Sequence, residues 1–92
     1  MQAYLACFDI TDDRTRYRVG KCLGEFGVRV QKSVFEIALE QPEELELLRR
    51  ELRPMLESGD DIRFYALCRS CRRKSHDIDG LRVAEFPAAL II

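Results

Sequence analysis

The chain has 92 residues, enough for one domain with a modest core. Its 47% hydrophobic and 34% charged residues exclude wholesale disorder, and no apolar stretch approaches the length that crosses a bilayer, so no membrane role is expected. The formal net charge of −1 excludes a generic basic coat for nucleic acid but leaves room for local basic patches.

Residues 3–10, Ala-Tyr-Leu-Ala-Cys-Phe-Asp-Ile, are almost continuously apolar. They predict a central strand buried on both faces and interrupted near its end by Asp9. Thr11, Asp12 and Asp13 follow as helix N-cap candidates whose negative charge suits a helix dipole. Val19, Cys22, Leu23 and Phe26 then fall at i, i+3, i+4 and i+7, one apolar stripe. A helix is predicted there, closed by Gly27 as a left-handed cap. Gly20 and Gly24 lower helix propensity and are expected to admit a neighbouring backbone.

Residues 29–39 read as strand, but the apolar side changes partway. Val30 and Val34 share one parity, while Phe35, Ile37 and Leu39 share the other. A bend or bulge near Lys32–Ser33, splitting the segment into two strands, accounts for the change. Burial of one face by helices and the other by a partner chain is the alternative. Pro42 opens a second helix, with Glu43, Glu44 and Glu46 in its first turn. Leu45, Leu48, Leu52 and Met55 line its apolar face, Pro54 weakens or ends it, and Ser58-Gly59 closes it. Ile62, Phe64, Ala66 and Cys68 alternate with Arg63, Tyr65 and Leu67, which predicts another strand. Residues 69–80 are basic and polar, with a short strand expected at Lys74–Ile78. Residues 82–91 are expected to add to a sheet edge, in their own subunit or a partner's, with Pro87 suited to an edge.

This order predicts an α+β fold, a ferredoxin-like sandwich of an antiparallel sheet with two helices on one face. The domain runs over residues 1–80, and 81–92 form its C-terminal edge strand or tail, open to exchange in a homodimer. Met1 leads straight into a strand with no basic leader, so no export signal is expected. The four cysteines are then expected as reduced thiols in the cytoplasm.

A carboxylate at the end of an apolar strand must be hydrated, hydrogen-bonded, paired or metal-bound. Taken alone, Asp9 reads better as a turn aspartate accepting backbone N–H bonds. One aspartate makes no metal site, but a two-fold axis would bring a second Asp9 beside it. Arg14 and Arg18 stand four apart and repel each other on a helix. A phosphate would stabilise such a pair, and a solvated face accounts for it equally. Arg29, Gln31 and Ser33 share strand parity, so they either track a nucleic-acid backbone or are simply exposed. Cys68-Arg-Ser-Cys71 is one CxxC with no second, which suits a tight turn better than a complete zinc site. His76 reads as ordinary surface. Phosphate-binding loops, G-x-S-x-G and H-E-x-x-H are absent from the sequence.

Three blocks together resemble the CRISPR-associated Cas-two family: Tyr4-Leu-Ala-Cys-Phe-Asp9-Ile-Thr-Asp-Asp13, Arg16-Tyr-Arg18-Val, and Arg29-Val-Gln-Lys-Ser-Val-Phe35-Glu. The likeness continues into Ala66-Leu-Cys-Arg-Ser-Cys-Arg-Arg-Lys74. The resemblance implies a ferredoxin-like homodimer in which Asp9 and its mate's Asp9 face each other and share one Mg²⁺ or Mn²⁺. It further implies CRISPR adaptation (spacer acquisition), metal-dependent endonuclease activity on RNA or DNA, and partnership with the Cas-one integrase. Carried over residue by residue, Asp9 is the catalytic and metal position. Arg16, Arg18, Arg29 and Phe35, with Ser33, are the nucleic-acid-binding positions. The residue before the aspartate is often Tyr in the family and is Phe8 here. Two other readings stand beside the endonuclease. One is a non-catalytic DNA-binding scaffold that bridges the integrase, and the other is a relative of toxin-type ribonucleases with a similar sandwich.

Overall fold

The structure, a computed structural model, is described over residues 1–86. Four strands form one sheet: β1 (Gln2–Asp9), β2 (Gly27–Gln31), β3 (Val34–Leu39) and β4 (Asp61–Leu67). Their order is β2-β3-β1-β4, and every neighbouring pair is antiparallel. Helices α1 (Asp13–Leu23) and α2 (Glu43–Leu52) connect β1 to β2 and β3 to β4, the ferredoxin-like arrangement predicted. A 3-10 turn at Arg53–Met55 follows α2, and a short helix α3 (Arg69–Arg73) follows β4.

The apolar pattern explains why both long helices lie on one side. Val19, Cys22 and Leu23 of α1 and Leu48 and Leu52 of α2 cluster with Ala6, Phe8, Phe35 and Ile37 of the central strands. Leu23, Ile37 and Leu48 are fully buried, and each such side chain stabilises the fold by about 1.5–3 kcal/mol. Asp12 is the N-cap of α1, and its carboxylate accepts hydrogen bonds from the Thr15 backbone N–H and hydroxyl. Those donors hold the Asp12 carboxyl below its ordinary value. Glu43, Glu44 and Glu46 occupy the first turn of α2 as expected, with Pro42 one position earlier at the N-cap. Pro54 stands in the 3-10 turn, where it cannot continue the α-helical ladder.

The change of parity between residues 30 and 35 has two causes. Lys32–Ser33 is a turn, and a register shift lies between Arg29, paired with Phe35, and Gln31, paired with Val34. Directly paired residues point to the same face. Arg29 therefore shares the helix-covered face with Phe35, and Gln31 is turned to the other. The common face expected for Arg29, Gln31 and Ser33 is broken by this bulge.

Three local expectations need correction. Gly27 is the first residue of β2 and caps no helix; α1 ends at Leu23 with Gly24 as its cap. A side chain at Gly27 would place its Cβ 1.9 Å from the Glu36 carbonyl oxygen, so glycine is required by the close approach of β3. Gly20 admits side chains rather than a backbone: a Cβ there would lie 2.6 Å from Arg29 Nη2 and 3.6 Å from Phe35 Cζ. The short strand expected at Lys74–Ile78 is a single bridge, His76 to Arg82, and the CxxC turn before it opens α3.

The face of the sheet turned away from the helices carries a second, smaller cluster. Ala3 and Ala38 meet Ala84 and Phe86 there, with Leu67 and Val83 at its margin. Ala84 and Phe86 have φ of 55° and 51°, a region L-residues rarely enter, and both side chains are buried. Of the edge strand expected over 82–91, residues 82–86 lie across this face and 87–91 fall outside the described residues.

Gly27→Ala tests the β2–β3 approach. The substitution is expected to lower the unfolding free energy by at least about 2 kcal/mol in a urea titration, because neither backbone can yield. An unchanged midpoint would show that β2 can move away freely.

Candidate functional site

Strand alternation decides where Asp9 points. Ala6 and Phe8 are buried against the helices, so Ala3, Leu5, Cys7 and Asp9 belong to the opposite face. Asp9 is the exposed last residue of β1. Among the described residues, no salt bridge or side-chain hydrogen bond engages its carboxylate.

The neighbours of Asp9 come from three elements. Asp61, first in β4, pairs directly with Asp9. Arg63 shares that face one pleat further on; its Nε donates to Asp61 Oδ2 at 2.9 Å, and its Nη1 lies 3.5 Å from the Tyr65 hydroxyl. The turn at Ser33 abuts the same end of the sheet, where the Phe8 N–H donates to the Ser33 carbonyl at 3.0 Å. The third neighbour is Arg16, whose Nη1 donates to the carbonyls of Ile10 at 2.9 Å and Thr11 at 2.7 Å. The same guanidinium is ion-paired with Asp13. Arg16 thereby ties the first turn of α1 to the two residues after Asp9.

The other sequence-derived positions separate into two kinds. Arg18 is an exposed side chain of α1 and Arg29 an exposed one of β2. Arg29 lies over the Phe35 ring, 5.1 Å from its centroid, in the space left by Gly20. Phe35 itself is only 3% exposed and stacks on Phe8 at 6.1 Å with a 28° interplanar angle. It is a core side chain and supports Arg29 from beneath. Asp9, Arg16 and Ser33 thus gather at one end of the sheet, while Arg29 and Phe35 lie on the helix-covered face.

Asp61 and Arg63 are absent from the sequence-derived set. Their alternation with Ile62 and Phe64 is legible, and it places them away from the helices. Only the β1–β4 pairing, which has no local signal, sets them beside Asp9.

Exposed apolar side chains accompany Asp9 on its face. Val28 and Val30 of β2 are each 44% exposed and Tyr65 of β4 is 49% exposed. Leu5 and Cys7 of β1 are half-buried. Glu36 lies on the same face, where burial pushes its carboxyl above the usual range against a hydrogen bond from the Ala84 backbone.

Known proteins share this fold. A chain of a partial Cas6-RT-Cas1–Cas2 complex superposes with a TM-score of 0.84 and 35% identity, over 94% of this chain and 100% of that one. The CRISPR-associated endoribonuclease Cas2 4 of Rhodospirillum rubrum is 38% identical over 79 residues, which cover 85% of this chain and 63% of that protein. The CRISPR-associated endoribonuclease Cas2 1 of Chloroflexus aurantiacus is 42% identical over 73 residues, 77% of each chain. The model of the family CRISPR associated protein Cas2 matches residues 1–75, from β1 through α3, including Asp9 and its surroundings. With the family model matched over residues 1–75 and the fold shared at 35% identity, this chain belongs to the Cas2 family.

Proposed function

We propose that this chain acts in CRISPR adaptation as a homodimer and hydrolyses phosphodiester bonds of RNA or DNA at a site built from two Asp9 carboxylates. The observation that carries the reading is the position of Asp9. Among the described residues it is exposed and unengaged, on a sheet face whose apolar side chains, Leu5, Val28, Val30 and Tyr65, have no helix over them. A second copy of the chain covering that face would bury those side chains and bring a second Asp9 to the first. The names of the Rhodospirillum and Chloroflexus relatives support the endonuclease activity.

Among the described residues, a single copy gathers few donors for a divalent ion. Asp61 beside Asp9 is already paired with Arg63, and among the described residues no three His, Cys, Asp or Glu side chains lie together. Two copies offer paired carboxylate oxygens, a hard donor set that suits Mg²⁺ or Mn²⁺. When bound, such an ion supplies charge stabilisation at a phosphoryl oxygen. The chain's own residues do the rest. Arg16 holds the Ile10–Thr11 backbone and so fixes the direction of Asp9. Arg18 and Arg29 neutralise phosphate charge and position the strand without reading bases. Ser33 and Phe35 contribute through the turn beside β1 and through the support under Arg29.

A second reading is favoured by a specific observation: the close superposition on a chain from a Cas1–Cas2 complex. In it the same dimer bridges the Cas1 integrase and grips nucleic acid without cutting it.

Asp9→Asn separates the two readings. In the nuclease reading it lowers Mg²⁺- or Mn²⁺-dependent cleavage of RNA or DNA by at least about a hundredfold, while the dimer mass in light scattering is unchanged. Undiminished cleavage by the variant would remove Asp9 from the chemistry. If neither protein cleaves and both bridge Cas1, the scaffold reading holds.

The arginines are told apart by stability and salt. Arg16→Ala is expected to lower the unfolding free energy by about 1–2 kcal/mol, since two carbonyls lose a charged donor. Arg18→Ala should leave stability unchanged. It should instead weaken nucleic-acid binding evenly across sequences and flatten the slope of log affinity against log salt by roughly one per contact removed. A salt slope that Arg18→Ala does not move would take that residue out of the interface.

A further inference from the structure

The four cysteines of this chain are all free, and their surroundings sort them. Cys22 is buried in the core, where desolvation and the nearby Glu51 and Glu25 push its thiol up to about 11. Cys7 is half-buried on the open sheet face. Cys68 and Cys71 are exposed, one helical turn apart, where β4 ends and α3 begins. None of these positions is used by the Asp9 site.

We propose that Cys68 and Cys71 form a thiol–disulfide exchange site, with Cys68 as the attacking sulfur and an anionic small-molecule disulfide as its substrate. The inference is independent of any action on nucleic acid. It stands first on the geometry of the pair. Cys68 Sγ accepts from the Cys71 backbone N–H at 3.3 Å and lies 3.3 Å from Ser70 Oγ. A sulfur so surrounded by donors is stabilised as thiolate. The Cys71 side chain, then the Ser70 hydroxyl, then the Cys71 N–H bring the Cys68 thiol down to about 7. Cys71 is displaced upward by the same neighbour. The two thiols are unequal in their surroundings: Cys68 Sγ has the Cys71 N–H and the Ser70 hydroxyl beside it, which favour its thiolate over that of Cys71. That division of labour is what a nucleophilic and a resolving cysteine require.

The substrate class follows from what surrounds the pair. Cys68 lines a cleft of about 870 Å³ together with Arg69, Arg72, Arg73 and Arg82. Among the described residues no salt bridge engages any of these arginines, and Glu85 is the one acidic residue lining the cleft. The Arg72 guanidinium lies over the Phe86 ring at 5.4 Å, and among the described residues its buried Nε has no hydrogen-bond partner. A buried guanidinium nitrogen left unpaired favours an anionic acceptor. A disulfide carrying carboxylates would place them against these arginines while offering its sulfur to Cys68.

The reaction balances in two exchanges. The Cys68 thiolate attacks one sulfur of the disulfide R–S–S–R, forming a mixed disulfide and releasing RS⁻, which takes a proton from water. Cys71 then gives up its proton and attacks Cys68 Sγ, releasing the second thiol as RSH. The substrate gains two electrons and the protein pair is oxidised to a disulfide. The product replaces a negative sulfur at the mouth of the arginine cleft with a neutral one.

The test uses the full chain, oxidised glutathione as the anionic disulfide and cystamine as a cationic one. Intact mass is expected to show loss of the two thiol hydrogens in the monomeric unit, and peptide mapping to link Cys68 with Cys71. Cys71→Ser should stop at one glutathione on Cys68. Cys68→Ser keeps a good helix cap and should react at Cys71 at least about tenfold more slowly at neutral pH. Glutathione disulfide should outpace cystamine at low salt and lose that advantage at high salt. Equal rates for the two serine variants, or a bond through Cys7 or between chains, would overturn the exchange site. Cystamine reacting as fast as glutathione disulfide at low salt would overturn the anionic substrate class.

Discussion

The direction of Asp9 depends on the pleat of β1. Phe8 is buried under the helices, packed on Phe35 of the neighbouring strand. Because successive side chains alternate, that packing obliges Cys7 and Asp9 to face the other way. A register slip of one residue would carry Asp9 into the apolar core and Phe8 into water. The desolvation of an unpaired carboxylate alone would cost several kcal/mol, so the slip is strongly disfavoured. Asp9 is thus fixed on the open face by hydrophobic forces acting on its neighbour.

A sheet has two faces, and the long helices of this chain cover only one. The second face is closed in part by Ala84 and Phe86, both in a left-handed backbone conformation. This turns their side chains down onto Ala3 and Ala38. On the same face the segment 82–86 lines a shallow cleft with Val28, Val30 and Glu36, and among the described residues Tyr65 stays 49% exposed. A domain this small has little apolar surface to leave uncovered. Among the described residues, exposed apolar side chains and the unengaged Asp9 share this face, and in the proposed homodimer one event, the arrival of a second copy, would satisfy both.

The fold was largely legible because periodicity reports burial directly. β1, α1, α2 and β4 were readable from their spacing, and the parity break before Phe35 correctly marked the turn at Lys32–Ser33 and the split into β2 and β3. What was not legible depends on contacts between distant segments. Gly27 looked like a helix cap, because a glycine after an apolar stripe usually is one; its actual constraint is the Glu36 carbonyl of another strand. The parity shared by Arg29, Gln31 and Ser33 suggested one face; the parity change pointed to a bend or bulge near Lys32–Ser33, but the register shift lies earlier, between Arg29 and Gln31, and separates them. Helix α3 was missed because its five residues, Arg-Ser-Cys-Arg-Arg, have no apolar stripe; its start is set by Cys68 acting as a cap. Around Asp9, the sequence pointed to the carboxylate and the arginines that follow it, whereas Asp61 and Arg63 needed the β1–β4 pairing to bring them beside it.

The structure also changes what Phe8 means. The position before the aspartate, Tyr in many proteins of the resembled family, is Phe8 here. Phe8 faces the helices, however, on the side of the sheet opposite Asp9, and only 7% of it is exposed. Its ring packs on Phe35, which in turn supports Arg29. The substitution therefore belongs to the core beneath Arg29, and the face that carries Asp9 is unaltered by it. The groups that govern Asp9 are those that hold its backbone and share its face, Arg16 through the Ile10 and Thr11 carbonyls and Arg63 through Asp61. Arg16 is the more consequential of the two, because it joins the entry of α1 to the end of β1. Any change that loosens that helix entry would also release the carboxylate from its fixed direction.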